Sequence, residues 1–134
     1  MNESTNLRVE DVMSTNIRSI EGLATVLEAI DMMRQYGINS LAVMRRDGDD
    51  EAGLLLLRDI AVKVVAQNRS SERVNVYEVM TKPAFTLPPK MMVRNAVRLM
   101  TEHSVARALV VDNDRNPIGI VTLRDLVLGE DPED

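Results

Sequence analysis

The sequence contains no cysteine and no tryptophan, and its aromatic side chains are limited to one phenylalanine and two tyrosines. Without cysteine the chain can form no disulfide, no zinc–thiolate site and no cysteine nucleophile. The shortage of stacking rings and a formal net charge of −5 argue against a general nucleic-acid-binding protein, because such proteins need a basic surface. We therefore expect no nucleic-acid partner.

Long apolar runs are absent as well. No segment approaches the roughly 20 apolar residues that a helix needs to cross a bilayer. Residues 1–6 are polar and carry no signal-peptide core. We therefore expect no membrane association and a cytoplasmic location. The remaining composition, 45% hydrophobic and 28% charged over 134 residues, is typical of a soluble globular protein.

One pattern occurs twice along the chain. Val12-Met13 recurs as Val79-Met80, at an offset of 67 residues (80 − 13). The pair at residues 58–59, Arg-Asp, recurs at residues 124–125 with an offset of 66 (125 − 59), so one residue is lost at a turn between them. A register this long indicates a duplicated unit. Four apolar helix positions recur at the first offset: Val26, Ala29, Ile30 and Met33 as Val93, Ala96, Val97 and Met100.

Each copy predicts the element order β-α-β-β-α. Thr25 and Glu28 have the spacing of a capping box at a helix start, and Gly37 suits the end of that helix. In the first copy we expect strands at residues 16–20, 40–44 and 53–56, a helix at residues 26–36 and a second helix at residues 57–66. In the second copy we expect strands at residues 85–87, 108–111 and 118–121, and helices at residues 92–103 and 123–128.

The fold class that follows is α+β, of the α/β type, with two β-α-β-β-α repeats related by a pseudo-twofold axis. One copy alone covers only one face of its small sheet, so we expect the copies to pack together and to leave clefts between them. The predicted divisions are a flexible N-terminus at residues 1–8, a first repeat at 9–66, a linker at 67–75, a second repeat at 76–128 and an acidic tail at 129–134.

The join between the last strand and the last helix carries the most informative polar residues. Thr122 and Asp125 have the spacing of a capping box. The same geometry could present a hydroxyl and backbone donors to a phosphate, and a carboxylate to a ribose. In the first copy Leu56 replaces the threonine while Asp59 is kept, so we expect the two clefts to differ in chemistry. The residues alone leave both interpretations open.

Other polar residues give weaker signals. Arg107, before a strand, is either a surface arginine or a phosphate clamp. His103, the one histidine, is interpreted as a surface or capping residue. Residues 112–114 begin like a calcium loop, but Pro117 and Leu123 stand where such a loop needs a glycine and an acid, so we reject that reading. The sequence shows no nucleophile–base pair, metal cluster or Walker-type loop, so we expect a non-enzymatic protein without an obligatory cofactor.

The recurring motifs resemble those of cystathionine-β-synthase (CBS) domains over residues 9–128. The resemblance is carried by the Val-Met lead-ins, by residues 26–29, 93–96 and 109–112, and above all by residues 119–125. It implies a stand-alone tandem CBS pair that binds AMP, ADP, ATP or S-adenosylmethionine between its repeats and often forms a homodimer. Such a sensor would signal by conformational change to a protein partner. The alternative is a ligand-free interaction or dimerisation module with vestigial clefts.

The resemblance also assigns residues to two ligand sites. The nucleotide is expected as a regulatory ligand, with or without magnesium. Near Asp59, Leu56 stands where the family usually has a serine or threonine, which weakens the expectation of phosphate binding at the site that contains Asp59. The first site would combine Thr122 and Asp125 with Ile17, Arg18, Ile38, Asn39 and Ser40. The second would combine Asp59 with Ala84, Phe85, Val105, Ala106 and Arg107.

Overall fold

A computed structural model describes residues 6–129 of the chain. Residues 1–5 of the predicted N-terminus and residues 130–134 of the predicted acidic tail lie outside the described residues. The described chain divides into two units. The first unit contains residues 18–84, and the second unit contains residues 6–17 together with residues 85–129. Each unit has its own three-stranded sheet, so the predicted α+β class is confirmed.

The elements follow the predicted β-α-β-β-α order in both copies. The strands are β1 (Ser19–Ile20), β2 (Ser40–Val43), β3 (Gly53–Leu56), β4 (Thr86–Leu87), β5 (Arg107–Val111) and β6 (Pro117–Thr122). The helices are α1 (Val9–Val12), α2 (Val26–Tyr36), α3 (Leu57–Ile60), α4 (Val93–Glu102) and α5 (Leu123–Leu128). A π-helical turn (Ala61–Val65) follows α3, and a 3-10 turn (Val76–Glu78) lies before β4.

The two sheets have the same topology. In the first unit β1 runs parallel to β2, and β2 pairs antiparallel with β3. In the second unit β4 runs parallel to β5, and β5 pairs antiparallel with β6. A helix connects each parallel pair, as parallel strands require, and a loop connects each antiparallel pair. The duplication in sequence is therefore a duplication in structure.

Helix α2 forms where its local signals predict. Thr25 Oγ1 accepts a hydrogen bond from Glu28 N at 3.1 Å, and the Glu28 carboxylate accepts one from Thr25 N at 2.7 Å. Gly37 ends the helix in the left-handed conformation, with φ of 63°, which costs glycine little because it has no Cβ. The predicted capping box and glycine stop are both confirmed.

Several predicted limits are corrected by the structure. The strands predicted at residues 16–20 and 85–87 contain only two residues each, because β1 and β4 pair with their neighbours over only two positions. The helix predicted at residues 57–66 changes after Ile60 into the π-helical turn, where Ala66 N donates to Ala61 O at 2.9 Å. The helix predicted at residues 92–103 is shorter because Met92 and His103 are its caps. Of the remaining strands, β3 has its predicted limits, β2 and β5 differ by one residue at one end, and β6 extends one residue further at each end.

Each lead-in segment packs in the unit that contains the sheet of the other repeat. In the second unit Val9 N, at the start of α1, donates to Met91 O at 2.8 Å. In the first unit the equivalent bond runs from Val76 N to Ala24 O, also at 2.8 Å. Val9 and Val76 are fully buried in the cores of these units. The folded unit is therefore not the same stretch of chain as the sequence repeat.

This packing explains the glycine that recurs in β3 and β6. A Cβ added at Gly119 would lie 2.5 Å from Met13 Sδ and 3.0 Å from Ser14 O. A Cβ added at Gly53 would lie 2.8 Å from Met80 Sδ. The recurring glycine is needed for space, because the methionine of a Val-Met lead-in crosses the strand at that point.

Candidate functional site

The join between β6 and α5 is closed by two reciprocal hydrogen bonds. Thr122 Oγ1 accepts from Asp125 N at 3.0 Å, and Asp125 Oδ2 accepts from Thr122 N at 3.0 Å. Both residues are half-buried. The capping-box interpretation of this pair is therefore confirmed. The two reciprocal hydrogen bonds hold both side chains in place.

The equivalent join between β3 and α3 has one of these two bonds. Asp59 Oδ2 accepts from Leu56 N at 3.1 Å, as its counterpart Asp125 does in the other unit. Leu56 has no oxygen to accept the return bond, and no side-chain cap is present at this helix start. The two units thus share the position of the carboxylate but differ by one hydroxyl.

Residues predicted for ligand contact gather beside the join in the second unit. Arg107 lies opposite Thr122 in the β5–β6 ladder. The carbonyl of Ala106 accepts from Leu123 N at 3.0 Å, and the carbonyl of Phe85 accepts from Leu109 N at 2.9 Å. These bonds place the start of β5, the entry to β4 and the start of α5 at one end of the sheet. Val105, half-buried, immediately precedes that end.

The first unit gathers the equivalent residues in the same way. Ser40 lies opposite Leu56 in the β2–β3 ladder. The carbonyl of Asn39 accepts from Leu57 N at 2.9 Å, and the carbonyl of Arg18 accepts from Ala42 N at 3.0 Å. Asp59 accepts its bond at the same end of the sheet, and half-buried Ile38 immediately precedes Asn39.

The other two predicted residues fall at the limits of the units. Ile17 is half-buried and belongs to the second unit, whereas the next residue, Arg18, belongs to the first. Ala84 is buried in the first unit, where its N–H donates to Ala52 O at 2.9 Å, whereas Phe85 belongs to the second. The residues assigned to each site are therefore divided between the two units, and each join lies beside residues assigned to the other site.

A ring contact that the sequence did not predict lies at this end of each sheet. In the first unit the guanidinium carbon of Arg18 lies 4.0 Å from the ring centroid of Tyr36. In the second unit the rings of Phe85 and His103 lie 5.1 Å apart at an angle of 49°. The two pairs are equivalent at the offset of 67 residues (85 − 18 and 103 − 36). The aromatic and the basic partner have exchanged places between them.

The described residues contain no group of three or more histidine, cysteine, aspartate or glutamate side chains that could hold a metal ion. Across the same residues, 6–129, no helix has the length and apolarity that crossing a membrane requires.

The CBS domain family matches the chain twice, at residues 9–66 and 76–129. The chain belongs to the CBS-domain family. A curated relative, the CBS domain-containing protein YhcV of Bacillus subtilis, is 32% identical over 122 residues, which cover 91% of this chain and 84% of YhcV.

Solved CBS structures share the fold. The hexameric CBS-CP12 protein from bloom-forming cyanobacteria matches with a TM-score of 0.85 and 30% identity, over 90% of this chain and 66% of that one. The CBS domain pair of protein MJ0100, solved with methylthioadenosine and S-adenosylmethionine, matches with a TM-score of 0.77 and 26% identity, over 91% and 94%. The chain spans 52% of the length of the uncharacterized protein MK0525 of Methanopyrus kandleri, to which it is 33% identical.

Proposed function

We propose that this CBS pair is a regulatory module that binds an adenosine-containing ligand, either AMP, ADP, ATP or S-adenosylmethionine, and acts without catalysis. The proposal rests on Thr122 and Asp125, whose side chains are held in place by two reciprocal hydrogen bonds at the start of α5. The CBS pair of MJ0100, which shares the fold, was solved with two adenosine derivatives. The same ligand class is therefore the first to test here.

In this proposal Thr122 and Asp125 hold the phosphate and ribose of one ligand. Thr122 uses its oxygen as the acceptor of the cap, so the hydroxyl hydrogen can point to a phosphate oxygen. Asp125 uses Oδ2 in the cap, and its other carboxylate oxygen is the acceptor proposed for the ribose hydroxyls. Ile17, Arg18, Ile38, Asn39 and Ser40 complete the proposed site around the adenine.

We propose a weaker second site around Asp59. Leu56 offers no hydroxyl, so the phosphate would depend on Arg107, which lies at the start of β5. A guanidinium can bind phosphate through two parallel hydrogen bonds and can replace a lost hydroxyl donor. Ala84, Phe85, Val105 and Ala106 would contact the adenine. We expect this site to prefer ligands with a phosphate over S-adenosylmethionine.

We also propose that the ligand acts by shifting a conformational equilibrium that a protein partner or a second copy of the chain senses. A ligand can do this only through a difference in its affinity for the two states. Exposed apolar side chains on the last helical segment of each repeat suit a homodimer contact: Leu57, Val62 and Val65 after β3, and Val127 and Leu128 after β6. Oligomers occur in the family, since the CBS-CP12 protein is hexameric.

A ligand-free interaction module is the second candidate. It is favoured by the capping boxes, because Thr122 and Asp125 already have partners within the chain. Calorimetric and thermal-shift titrations with AMP, ADP, ATP and S-adenosylmethionine, each with and without magnesium, separate the two candidates. We expect at least one ligand to bind below millimolar concentration. If none binds at millimolar concentration, the sensor proposal is wrong and the interaction module is favoured.

A further inference from the structure

The turn that connects α4 to β5 holds a serine in a backbone conformation that favours glycine. Ser104 has a φ of 56°, in the left-handed region where a Cβ is strained. The equivalent residue of the first copy, at the offset of 67 residues (104 − 37), is Gly37, with a φ of 63°. Val105 N donates to Met100 O at 3.0 Å to close the turn, and the first copy has the equivalent bond at the same distance. The same turn is therefore built once with glycine and once with serine.

No hydrogen bond within the described chain offsets the strain at Ser104. Its side chain is exposed, and among residues 6–129 no group forms a hydrogen bond with its hydroxyl. At Gly37 an added Cβ would meet nothing within 4 Å, so this turn selects glycine for its φ and not for space. Residues held in strained backbone conformations concentrate at ligand sites, where the side chain is used by the ligand. The Ser104 hydroxyl is therefore a candidate ligand group.

The imidazole of His103, the residue before this serine, is held in a defined orientation. His103 Nδ1 lies 2.9 Å from Leu99 O. Because a carbonyl oxygen can only accept, Nδ1 carries the hydrogen of this bond, and Nε2 of the neutral imidazole is an acceptor. The same ring lies 5.1 Å from the ring of Phe85, centroid to centroid. His103 therefore offers a hydrogen-bond acceptor on a ring that contacts Phe85.

Both polar residues adjoin apolar residues that are proposed to contact adenine. Phe85 and Val105 are half-buried and pack against the core of the second unit. Ser104 immediately precedes Val105, and His103 contacts Phe85. A planar base packs its face against apolar side chains, while the polar atoms at its edge need hydrogen-bond partners. An acceptor nitrogen and a hydroxyl beside an apolar surface suit a base whose edge carries an N–H donor.

We propose that His103 and Ser104 recognise the edge of adenine in the ligand site around Asp59. The imidazole Nε2 accepts from the exocyclic amine, and the Ser104 hydroxyl donates to a ring nitrogen beside that amine. This inference rests on the nucleotide-binding function proposed above and specifies which base the site around Asp59 prefers. The first copy has Tyr36 and Gly37 at the equivalent positions, so the acceptor nitrogen and the serine hydroxyl belong to the second copy alone.

The test compares AMP with inosine monophosphate, in which a carbonyl oxygen replaces the amine. Calorimetric titration uses the full chain carrying Asp125→Ala, so that the site around Asp59 is measured. We expect AMP to bind at least about tenfold more tightly, because a carbonyl leaves the acceptor of the site unpaired. Equal affinity for the two nucleotides would overturn the inference. If neither binds at millimolar concentration, the site around Asp59 is wrong and the inference with it, while titration of the wild-type chain still tests the wider proposal.

Two further variants in the same background test the two side chains. His103→Phe keeps a ring against Phe85 without Nε2, and we expect the preference for AMP to fall to within about twofold. Ser104→Gly removes the hydroxyl and the strain together, so we expect a higher urea midpoint and at least about threefold weaker AMP binding.

Gly37→Ser is the matched control, because it places the same strained serine in the first copy. It should lower the urea midpoint and leave AMP affinity at the site around Asp59 within about twofold. An unchanged AMP preference in His103→Phe would overturn the role of the imidazole. Unchanged AMP affinity in Ser104→Gly, or an equal loss in Gly37→Ser, would overturn the role of the hydroxyl.

Discussion

The guanidinium of Arg18 stacks on the ring of Tyr36, and the equivalent positions of the second unit hold Phe85 against His103. Each pair joins the entry of a sheet's first strand to the C-terminal end or cap of the helix that follows it. Arg18 and Phe85 belong to different proposed ligand sites. The two proposed sites therefore differ in a second respect besides Thr122 and Leu56: one contains the cationic side chain of Arg18, and the other contains the aromatic ring of Phe85.

Removing the ring of Tyr36 should weaken one site selectively. An exposed cation–π contact contributes about 0.5–1 kcal/mol, so Tyr36→Leu should lower the nucleotide affinity of the site that contains Arg18 by about two- to fivefold. His103→Leu is the matched control, because it removes the equivalent partner in the second unit. Calorimetric titration of the two variants measures the difference. Equal losses in both would contradict the assignment of Arg18 to the Thr122 site.

Installing the missing hydroxyl should strengthen the other site. Leu56→Thr supplies the oxygen that can accept from Asp59 N, as Thr122 accepts from Asp125 N. We expect nucleotide affinity at the Asp59 site to rise by about tenfold, which corresponds to one hydrogen bond to a charged group. Leu56→Val is the control, because it has nearly the shape of threonine without the hydroxyl. An equal gain in Leu56→Val would mean that space, rather than the hydroxyl, limits binding.

The buried carboxylate of Asp50 should make the free energy of unfolding decrease at acid pH. The Arg46 guanidinium hydrogen-bonded to it, with the Lys82 ammonium, holds the pKa of Asp50 well below its usual range. A lowered pKa stabilises the fold above the unfolded pKa of about 3.9, and this contribution is lost as the pH falls through the folded value. Asp50→Asn should therefore be less stable than wild type at pH 7, and the gap should narrow as the pH falls below about 4.

Urea unfolding at pH 7 and at a pH below about 4 measures the difference in free energy of unfolding between Asp50→Asn and wild type. Asp47→Asn is the control, since Asp47 is exposed in the same turn and makes a local bond to Asp49 N. If Asp50→Asn stays less stable than wild type by the same amount down to strongly acid pH, the loss of stability comes from the shape of the side chain and not from its charge.

Gly119 in β6, the counterpart of Gly53 in β3, should not tolerate an added methyl group. Gly119→Ala would press a Cβ against Met13 Sδ and the fixed carbonyl of Ser14, so we expect a loss of about 1–3 kcal/mol in the free energy of unfolding. Gly48→Ala is the control, because nothing lies within 4 Å of a Cβ added at Gly48. Denaturant titration of both variants tests the close approach. If Gly119→Ala leaves the free energy of unfolding unchanged, the lead-in segment must be able to move away from β6 at no cost.

The sequence predicted the fold well because its signals are local. Thr25, Glu28 and Gly37 set the limits of α2 through neighbouring atoms, and the repeated apolar spacing defined the element order. It did not predict which sheet each lead-in joins. The burial of Val9 or Val76 follows from their apolar character, but the same character suits either sheet. Only the folded chain shows that the lead-ins exchange.

The local geometry of the candidate site was predicted in part for the same reason. The cap between Thr122 and Asp125 follows from three-residue spacing, and the structure contains it. The contact of Arg18 with Tyr36 joins two residues that are 18 positions apart (36 − 18), with no local signal at either one. Such features need the geometry of the folded unit.

We propose that the two ligand sites are unequal and that Asp125 serves the stronger one. The direct measurement is a calorimetric titration of Asp125→Ala and Asp59→Ala with whichever of AMP, ADP, ATP and S-adenosylmethionine binds wild type most tightly. Each variant loses one equivalent capping carboxylate, so each controls for the structural cost in the other. We expect Asp125→Ala to lose at least about tenfold more affinity than Asp59→Ala. Equal losses in two folded variants, or a larger loss in Asp59→Ala, would show that Asp125 does not serve the stronger site.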